Sequence, residues 1–183
     1  MTNRIINAKK FSTILDDICG KFARDNAADL KKGNAGIVGI HTRGVVLAKR
    51  MAGVLKKKHK SNVEVGSLDI TLYRDDVGEI GNQPLVKETD IPFPIEGKTI
   101  LLVDDVLYTG RTIRAALDAL LELGRPKMVR LAVIIDRDGR ELPVQADYMG
   151  AKMFVKENEK VQIKVKEVDG EDSVCVVTSP KSK

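Results

Sequence analysis

Two adjacent acids, Asp104 and Asp105, directly follow a run of branched apolar residues, Ile100 to Val103. A turn of small and polar residues, Thr109 to Thr112, comes next and leads into a helical pattern. The unpaired amides of a helix start can bind a phosphate group, and a glycine and an arginine in the turn favour this further. The two carboxylates would repel that phosphate, so ribose hydroxyls or hydrated Mg²⁺ are their natural partners. The stretch therefore predicts a pocket for a sugar phosphate.

The surrounding pattern predicts the elements that position these residues. Ile100 to Val103 shows no polar alternation, which is typical of a parallel strand covered on both faces. Apolar residues then recur at helical spacing from Ile113 to Leu121, and Gly124 ends the helix. Taken alone, the acids could be solvated residues at a sheet rim and the turn a simple helix cap.

A second strand, turn and helix unit lies earlier in the chain. Ile37 to Ile40 is a short apolar run, and His41 to Gly44 separates it from further apolar residues at helical spacing. This places a hydroxyl, a guanidinium and a glycine at another helix start, which predicts a second anion site. A helix cap with a surface arginine is the alternative if the motif stands alone.

The wording VDDVLYTGRT, residues 103–112, resembles the phosphoribosyl-diphosphate signature of type I phosphoribosyltransferases. It resembles most closely the PyrR family of pyrimidine operon attenuators and uracil phosphoribosyltransferases, and so does DITLYRDD, residues 69–76. The resemblance implies an α/β fold of the type I phosphoribosyltransferase class, with a mainly parallel central sheet flanked by helices. It also implies a hood at about 66–97, an antiparallel C-terminal tail and one domain spanning 1–183.

By the same resemblance, the catalytic residues would be Asp104, Asp105 and Arg43. The residues expected to bind the diphosphate donor or the nucleotide are Thr42, Arg43, Gly44, Tyr73, Arg74, Asp104, Asp105, Val106, Leu107, Tyr108, Thr109, Gly110, Arg111 and Thr112. The loop after the next predicted strand would contact uracil through Asp136 and Arg137. The expected cofactor is Mg²⁺, held mainly by the ligand and water, with Asp104 and Asp105 as candidate protein ligands.

The implied function is synthesis of UMP and pyrophosphate from uracil and phosphoribosyl diphosphate, together with UMP-responsive regulation of pyrimidine genes through mRNA. Two alternatives remain: an RNA-binding regulator with little catalytic activity, and a phosphoribosyltransferase for another base. The loop that members of the family use for RNA differs here at Gly139 and Gln145, and the segment Ala151 to Lys156 differs as well. These departures weaken the RNA prediction more than the enzyme prediction.

Composition sets broader limits. A length of 183 residues with 43% apolar content fits one domain with a hydrophobic core. The sequence shows neither a long apolar run nor a secretory start, which predicts a cytoplasmic protein without a membrane segment. A net charge of +5 is compatible with polyanions but does not decide for RNA. Two distant cysteines predict reduced core thiols, and two histidines make a zinc site improbable. The family resemblance predicts a homodimer or a larger homo-oligomer.

The remaining pattern predicts a covering helix at 12–22, a strand at 63–72 interrupted by a bulge or a crossing point at Gly66 and Ser67, and a lid loop at 75–83. A buried strand is predicted at 128–135 and one more short strand within 146–155. A tail hairpin joins 161–165 to 174–177 across Asp169 and Gly170.

Overall fold

A computed structural model of the protein describes residues 2–75, 87–156 and 158–178. Its helices are α1 (Ala8–Asp25), α2 (Ala27–Lys31), α3 (Arg43–His59), α4 (Arg111–Glu122) and α5 (Lys166–Asp169). Its strands are β1 (Thr2–Ile6), β2 (Ala35–Ile40), β3 (Glu64–Leu68), β4 (Thr99–Leu107), β5 (Met128–Arg137), β6 (Tyr148–Met153), β7 (Glu159–Lys164) and β8 (Ser173–Thr178). Within those three ranges, no helix combines the length and the apolar character needed to span a bilayer.

The strands form two sheets. Five of them make a parallel sheet in the order β3-β2-β4-β5-β6, with β4 at its centre. The other three make an antiparallel sheet in the order β1-β8-β7, here called the tail sheet, which joins the two ends of the described chain. The predicted parallel sheet and antiparallel tail are therefore both confirmed.

The central strand supplies two hydrophobic cores, one on each face of the parallel sheet. Leu101 and Val103 pack into the core that α1, α3 and the tail sheet share. Ile100 and Leu102 pack into the opposite core, together with α4 and the segment 91–95. Because both faces of β4 are covered, its sequence has no polar alternation until the strand reaches the sheet edge.

The carboxyl ends of β2, β4 and β5 meet at that edge, where open α/β sheets bind ligands. Each of these strands is followed there by a loop or turn that the sequence analysis singled out. The fold thus gathers the predicted anion sites on one side of the molecule.

The third strand differs from the prediction. β3 pairs with β2 in an unbroken register from Glu64 to Leu68, without the predicted bulge. Gly66 instead allows a close approach, since a Cβ there would lie 2.9 Å from the Ile91 side chain. The strand also ends four residues earlier than predicted, and residues 71–73 form a 3₁₀ turn.

The other elements lie closer to their predicted bounds. α1 extends the predicted helix at both ends, starting after Asn7, whose side chain accepts a hydrogen bond from the Lys10 amide (3.0 Å). The tail hairpin is confirmed, but its connection is the short helix α5 and not a tight turn. β1 was not predicted. The predicted lid falls almost entirely on residues 76–86, which lie outside the described part of the chain.

Candidate active site

The acid pair sits at the end of β4. Asp104 is 8% exposed and faces the register position of Val133 on β5, while Asp105 is half-buried. The Asp105 amide donates to Asp104 Oδ1, and the Val106 amide donates to Asp105 Oδ1, both at 2.8 Å. Burial, and then repulsion by Asp105, raise the pKa of Asp104 well above its usual range. The pair would therefore gain from a cationic or hydroxyl-bearing partner at the sheet edge.

Burial also raises the pKa of Asp105, and the nearby Arg43 guanidinium acts in the opposite direction. The two carboxyls are therefore not equivalent. Asp105 lies closer to compensating charge, which keeps it the more easily ionised member of the pair.

The predicted phosphate turn joins β4 to α4. Gly110 is the N-cap of this 12-residue helix and adopts φ +94°, a left-handed conformation that glycine tolerates best. It has no side chain to cap the helix, and the positive end of the helix dipole faces the sheet edge. Arg111 is paired with Asp75 (2.6 Å) and Glu141 (2.7 Å), and so links the hood to the loop after β5.

The second predicted anion loop packs tightly against β4. A Cβ on Gly44 would lie 2.4 Å from the Val103 carbonyl oxygen, so only glycine permits this approach. Arg43 makes a two-pronged ion pair with Asp169 of the tail, with N···O distances of 2.7 and 3.1 Å. The Thr42 hydroxyl accepts a hydrogen bond from the Lys87 ammonium group.

These loops surround one cavity of about 310 Å³, here called the main cavity. Its lining combines the acid pair with hydroxyls and several cationic groups. The lining residues are Ile40, His41, Thr42, Arg43, Asp69, Ile70, Thr71, Arg74, Lys87, Asp104, Asp105, Val106 and Thr112. Such a lining suits a ligand that carries both hydroxyl groups and phosphates.

Arg137, one of the two predicted base-contacting residues, lines a smaller cavity of about 260 Å³ together with Val106, Tyr108, Lys160 and Val161. The Arg137 guanidinium stacks on the Tyr108 ring at 4.1 Å, and its buried Nε makes no hydrogen bond with the described part of the chain. The neighbouring Asp136 carboxylate is paired with Arg140.

Gly139 holds the same loop against the ring. It has φ +104°, and a Cβ there would lie only 2.4 Å from a ring carbon of Tyr108. The loop after β5 and the turn after β4 are thus packed together at this point.

Comparison with known proteins identifies the family. The model of the phosphoribosyl transferase domain family matches residues 10–168. The bifunctional protein PyrR of Thermus aquaticus is 57% identical over 148 residues, which cover 80% of this chain and 82% of that protein. The PyrR of Pelotomaculum thermopropionicum is 52% identical over 145 residues, 79% and 80% of the two chains. This chain belongs to the PyrR family of phosphoribosyltransferases.

Solved structures agree at the level of the fold. The hypoxanthine phosphoribosyltransferase of Trypanosoma cruzi superposes with a TM-score of 0.72 and covers 97% of both chains at 18% identity. A purine phosphoribosyltransferase from Pyrococcus horikoshii has a TM-score of 0.61 and covers 85% of this chain and 92% of its own, also at 18% identity. The predicted type I phosphoribosyltransferase fold is confirmed, as is the resemblance to the PyrR family.

The PyrR fold brings seven of the fourteen predicted donor-binding residues to the main cavity. Thr42, Arg43, Arg74, the acid pair, Val106 and Thr112 all line it. Tyr73 does not, because its hydroxyl donates to Glu122 on α4. Arg111 points toward its two acidic partners at the rim, and Tyr108 lines the smaller cavity.

Lys87, Asp69 and Thr71 line the same cavity and were missed by the sequence analysis. Asp69 Oδ1 accepts hydrogen bonds from the Thr71 amide and hydroxyl, and its Oδ2 accepts one from the Lys87 amide (2.6 Å). Lys87 reaches the site because Asp90 forms an antiparallel bridge with Ser67. No local sequence signal marks this return of the chain.

Asp104 and Asp105 are the candidate protein ligands for Mg²⁺ in the main cavity. Carboxylate oxygens are the ligands that Mg²⁺ prefers. Yet residues 2–75, 87–156 and 158–178 contain no cluster of three or more His, Cys, Asp or Glu side chains that could hold a metal ion.

Proposed function

We propose that this protein is a uracil phosphoribosyltransferase that forms UMP and pyrophosphate from uracil and phosphoribosyl diphosphate. The observation that carries the proposal is the meeting of the acid pair, Arg43 and the start of α4 around the main cavity. Membership of the PyrR family supports the same activity.

The reaction breaks the bond between the anomeric carbon and the pyrophosphate oxygen and forms one to a ring nitrogen of uracil, which loses its proton. Positive charge develops on the ribose and negative charge on the leaving group. Asp104 and Asp105 contact the ribose hydroxyls and stabilise the positive charge. Arg43, Arg74 and Lys87 stabilise the departing pyrophosphate.

The 5′-phosphate binds at the turn of Tyr108 to Thr112, where α4 begins. This contact is remote from the reacting carbon, so its binding energy can orient the ribose between the acid pair and the base. Asp104 and Asp105 would also offer carboxylate oxygens to Mg²⁺, which would supply positive charge to stabilise the leaving group.

The base is proposed to bind at the smaller cavity, against the loop that carries Asp136 and Arg137. An assay with phosphoribosyl diphosphate and labelled uracil, hypoxanthine or orotate tests this assignment. We expect UMP from uracil and no nucleotide from the other two bases. Conversion of hypoxanthine or orotate in place of uracil would favour another base specificity, and conversion of none would refute the enzyme proposal.

The acid pair can be tested in the same assay. Asp105→Asn should lower kcat/KM by about 100-fold because it removes a charge next to the ribose. Asp118→Asn is the matched control, since Asp118 is an exposed carboxylate on α4 paired with Arg114. Equal activities of the two variants would contradict the proposed role of Asp105.

A second proposed function is UMP-responsive regulation of pyrimidine genes through mRNA, which the name of the relatives, bifunctional protein, favours. Gel shifts of pyrimidine-operon leader RNA at several salt concentrations, with and without UMP, test it, since phosphate contacts give affinity a steep salt dependence. Tighter binding with UMP would support the regulator, and absence of binding would leave the enzyme alone. RNA binding by a protein with little transferase activity would support the regulator alternative.

The departures at Gly139, Gln145 and 151–156 bear on this second function. Gly139 is pressed against the Tyr108 ring, so the loop has no room there for a larger side chain in this conformation. Within the altered segment 151–156, Phe154 is 76% exposed just beyond β6.

A cytoplasmic location and a homodimer or larger assembly remain predictions. Light scattering would measure the size of the assembly.

A further inference from the structure

The short helix α5, which connects two strands of the tail sheet, contacts Arg43 of the main cavity through Asp169 at its C-terminal end. Asp169 Oδ2 accepts from Arg43 Nε (3.1 Å), and Oδ1 accepts from Arg43 Nη2 (2.7 Å). The Asp169 side chain is 17% exposed and that of Arg43 31% exposed, so both are largely shielded from water. This is the parallel two-bond geometry that fixes the plane of a guanidinium group.

The carboxylate is itself held by the tail backbone. The Val165 amide donates to Asp169 Oδ2 at 2.9 Å, and the amides of Val168 and Asp169 both donate to the Val165 carbonyl. Asp169 therefore cannot follow Arg43 freely if the arginine moves.

A second arginine on α3 docks the same part of the tail. Arg50 pairs with Glu167 and with Asp172 (2.8 Å), and Asp172 also accepts from the Lys166 amide (2.8 Å). Arg50 follows Arg43 by seven residues and so lies on the same side of α3. This attachment keeps α5 in place independently of the Arg43 contact.

We infer that Asp169 is a positioning residue that holds the guanidinium of Arg43 ready for the pyrophosphate group of the donor. The inference rests on the proposed function. A guanidinium has five N–H groups, and Asp169 engages two of them, so the others remain for an anion in the main cavity. Fixing the group before the ligand arrives removes an ordering penalty from binding.

The charge state of Asp169 agrees with this role. Hydrogen bonding to Arg43 lowers the pKa of Asp169, so the carboxylate stays ionised at neutral pH.

The test compares Asp169→Asn with Glu167→Gln. Both remove one carboxylate charge from α5, but Glu167 contacts Arg50 and does not contact Arg43. We expect Asp169→Asn to raise the KM for phosphoribosyl diphosphate and the Kd for magnesium pyrophosphate about tenfold, while the KM for uracil changes less than about twofold. Glu167→Gln should change all three values less than about twofold.

A double-mutant cycle with Arg43→Ala decides whether Asp169 acts through Arg43. On the Arg43→Ala background, Asp169→Asn should have an effect of less than about twofold on pyrophosphate binding. Additive losses, unchanged binding in the single variant, or tighter binding would each overturn the inference. Tighter binding would indicate that Asp169 restrains Arg43 instead of presenting it.

Two controls separate the possible failures. Asp169→Glu keeps the charge and should recover part of the pyrophosphate affinity, whereas a purely structural loss would persist and would overturn the inference. If the unsubstituted protein binds pyrophosphate but converts none of the bases, the proposed function fails, and the binding measurements still decide the role of Asp169.

Discussion

At the scale of single residues, Asp104 is a buried acid whose ionisation the fold opposes. Its folded pKa is raised by burial and by Asp105, so at neutral pH the folded protein pays a penalty that the unfolded chain does not. The penalty is absent below the unfolded pKa of about 3.9 and grows as the pH rises toward the folded value. A cationic ligand bound next to Asp104 would reduce this penalty.

Replacing this carboxyl by its amide should therefore stabilise the protein while disabling the site. Asp104→Asn keeps an oxygen that can accept from the Asp105 amide, and we expect a gain of about 1–2 kcal/mol in the free energy of unfolding at pH 7.5. At pH 4 the gain should nearly vanish. Urea denaturation at both pH values measures it, with Asp118→Asn as control. A gain equal at both pH values would contradict the electrostatic explanation.

Lys87 allows a second prediction at this scale. Its ammonium group contacts the Thr42 hydroxyl at the rim of the main cavity. Lys87→Met should raise the KM for phosphoribosyl diphosphate about five- to tenfold, because one charge-assisted contact to the pyrophosphate is lost. Steady-state kinetics measure it, and Lys49→Met removes an exposed lysine of α3 as a control. Similar KM values for both variants would exclude Lys87 from the donor site.

At the scale of elements, the closest contact in the site is between the start of α3 and β4. Gly44 meets the Val103 carbonyl, and Gly39 of β2 meets the backbone of Gly44 and Val45. Two glycines thus set the distance between the arginine loop and the acid pair.

A matched pair of glycine substitutions on α3 tests this contact. Gly44→Ala should destabilise the protein by about 1–3 kcal/mol and lower kcat/KM, since the added methyl group must push α3 away from β4. Gly53→Ala, where a Cβ would meet no atom within 4 Å, should instead stabilise by about 0.5–1 kcal/mol. Thermal unfolding and kinetics measure both. Equal behaviour of the two variants would refute the steric argument.

Elements with local sequence signals could be predicted, and those that depend on distant partners could not. The β4-α4 unit was predictable because its signals are local: an unbroken apolar run, an acid pair, a glycine turn and helical spacing. β3 was misjudged because its sequence continues to alternate after Leu68, while the bridge from Ser67 to Asp90 brings in another segment. β1 and the Arg43 to Asp169 pair depend on partners more than 120 residues away, which no local pattern reveals.

At the scale of the whole molecule, the tail sheet shares its core with the central sheet. Ile163, Val165 and Val174 from the tail pack in the same buried cluster as Phe11 of α1 and Ile37 of β2. The tail is therefore part of the main hydrophobic core. A single domain spanning 1–183 stays a prediction.

Unfolding should consequently be one cooperative transition. Ile163→Ala should lower the free energy of unfolding by about 2–4 kcal/mol and shift the whole transition, because the lost methyl groups belong to the shared core. Val168→Ala, at a side chain that is 48% exposed, should change it by less than about 0.5 kcal/mol. Circular dichroism with hydrogen exchange measures both, and separate melting of the tail would contradict a single domain.

The two cysteines are free and buried, one on α1 and the other on β8. Burial raises the pKa of the Cys19 thiol to about 12, so almost no reactive thiolate forms there while the chain stays folded. A reagent can therefore reach either cysteine only after the structure around it has opened. The rates at which an alkylating reagent captures Cys19 and Cys175 would time the opening of the helical layer against that of the terminal strands, without any engineered label.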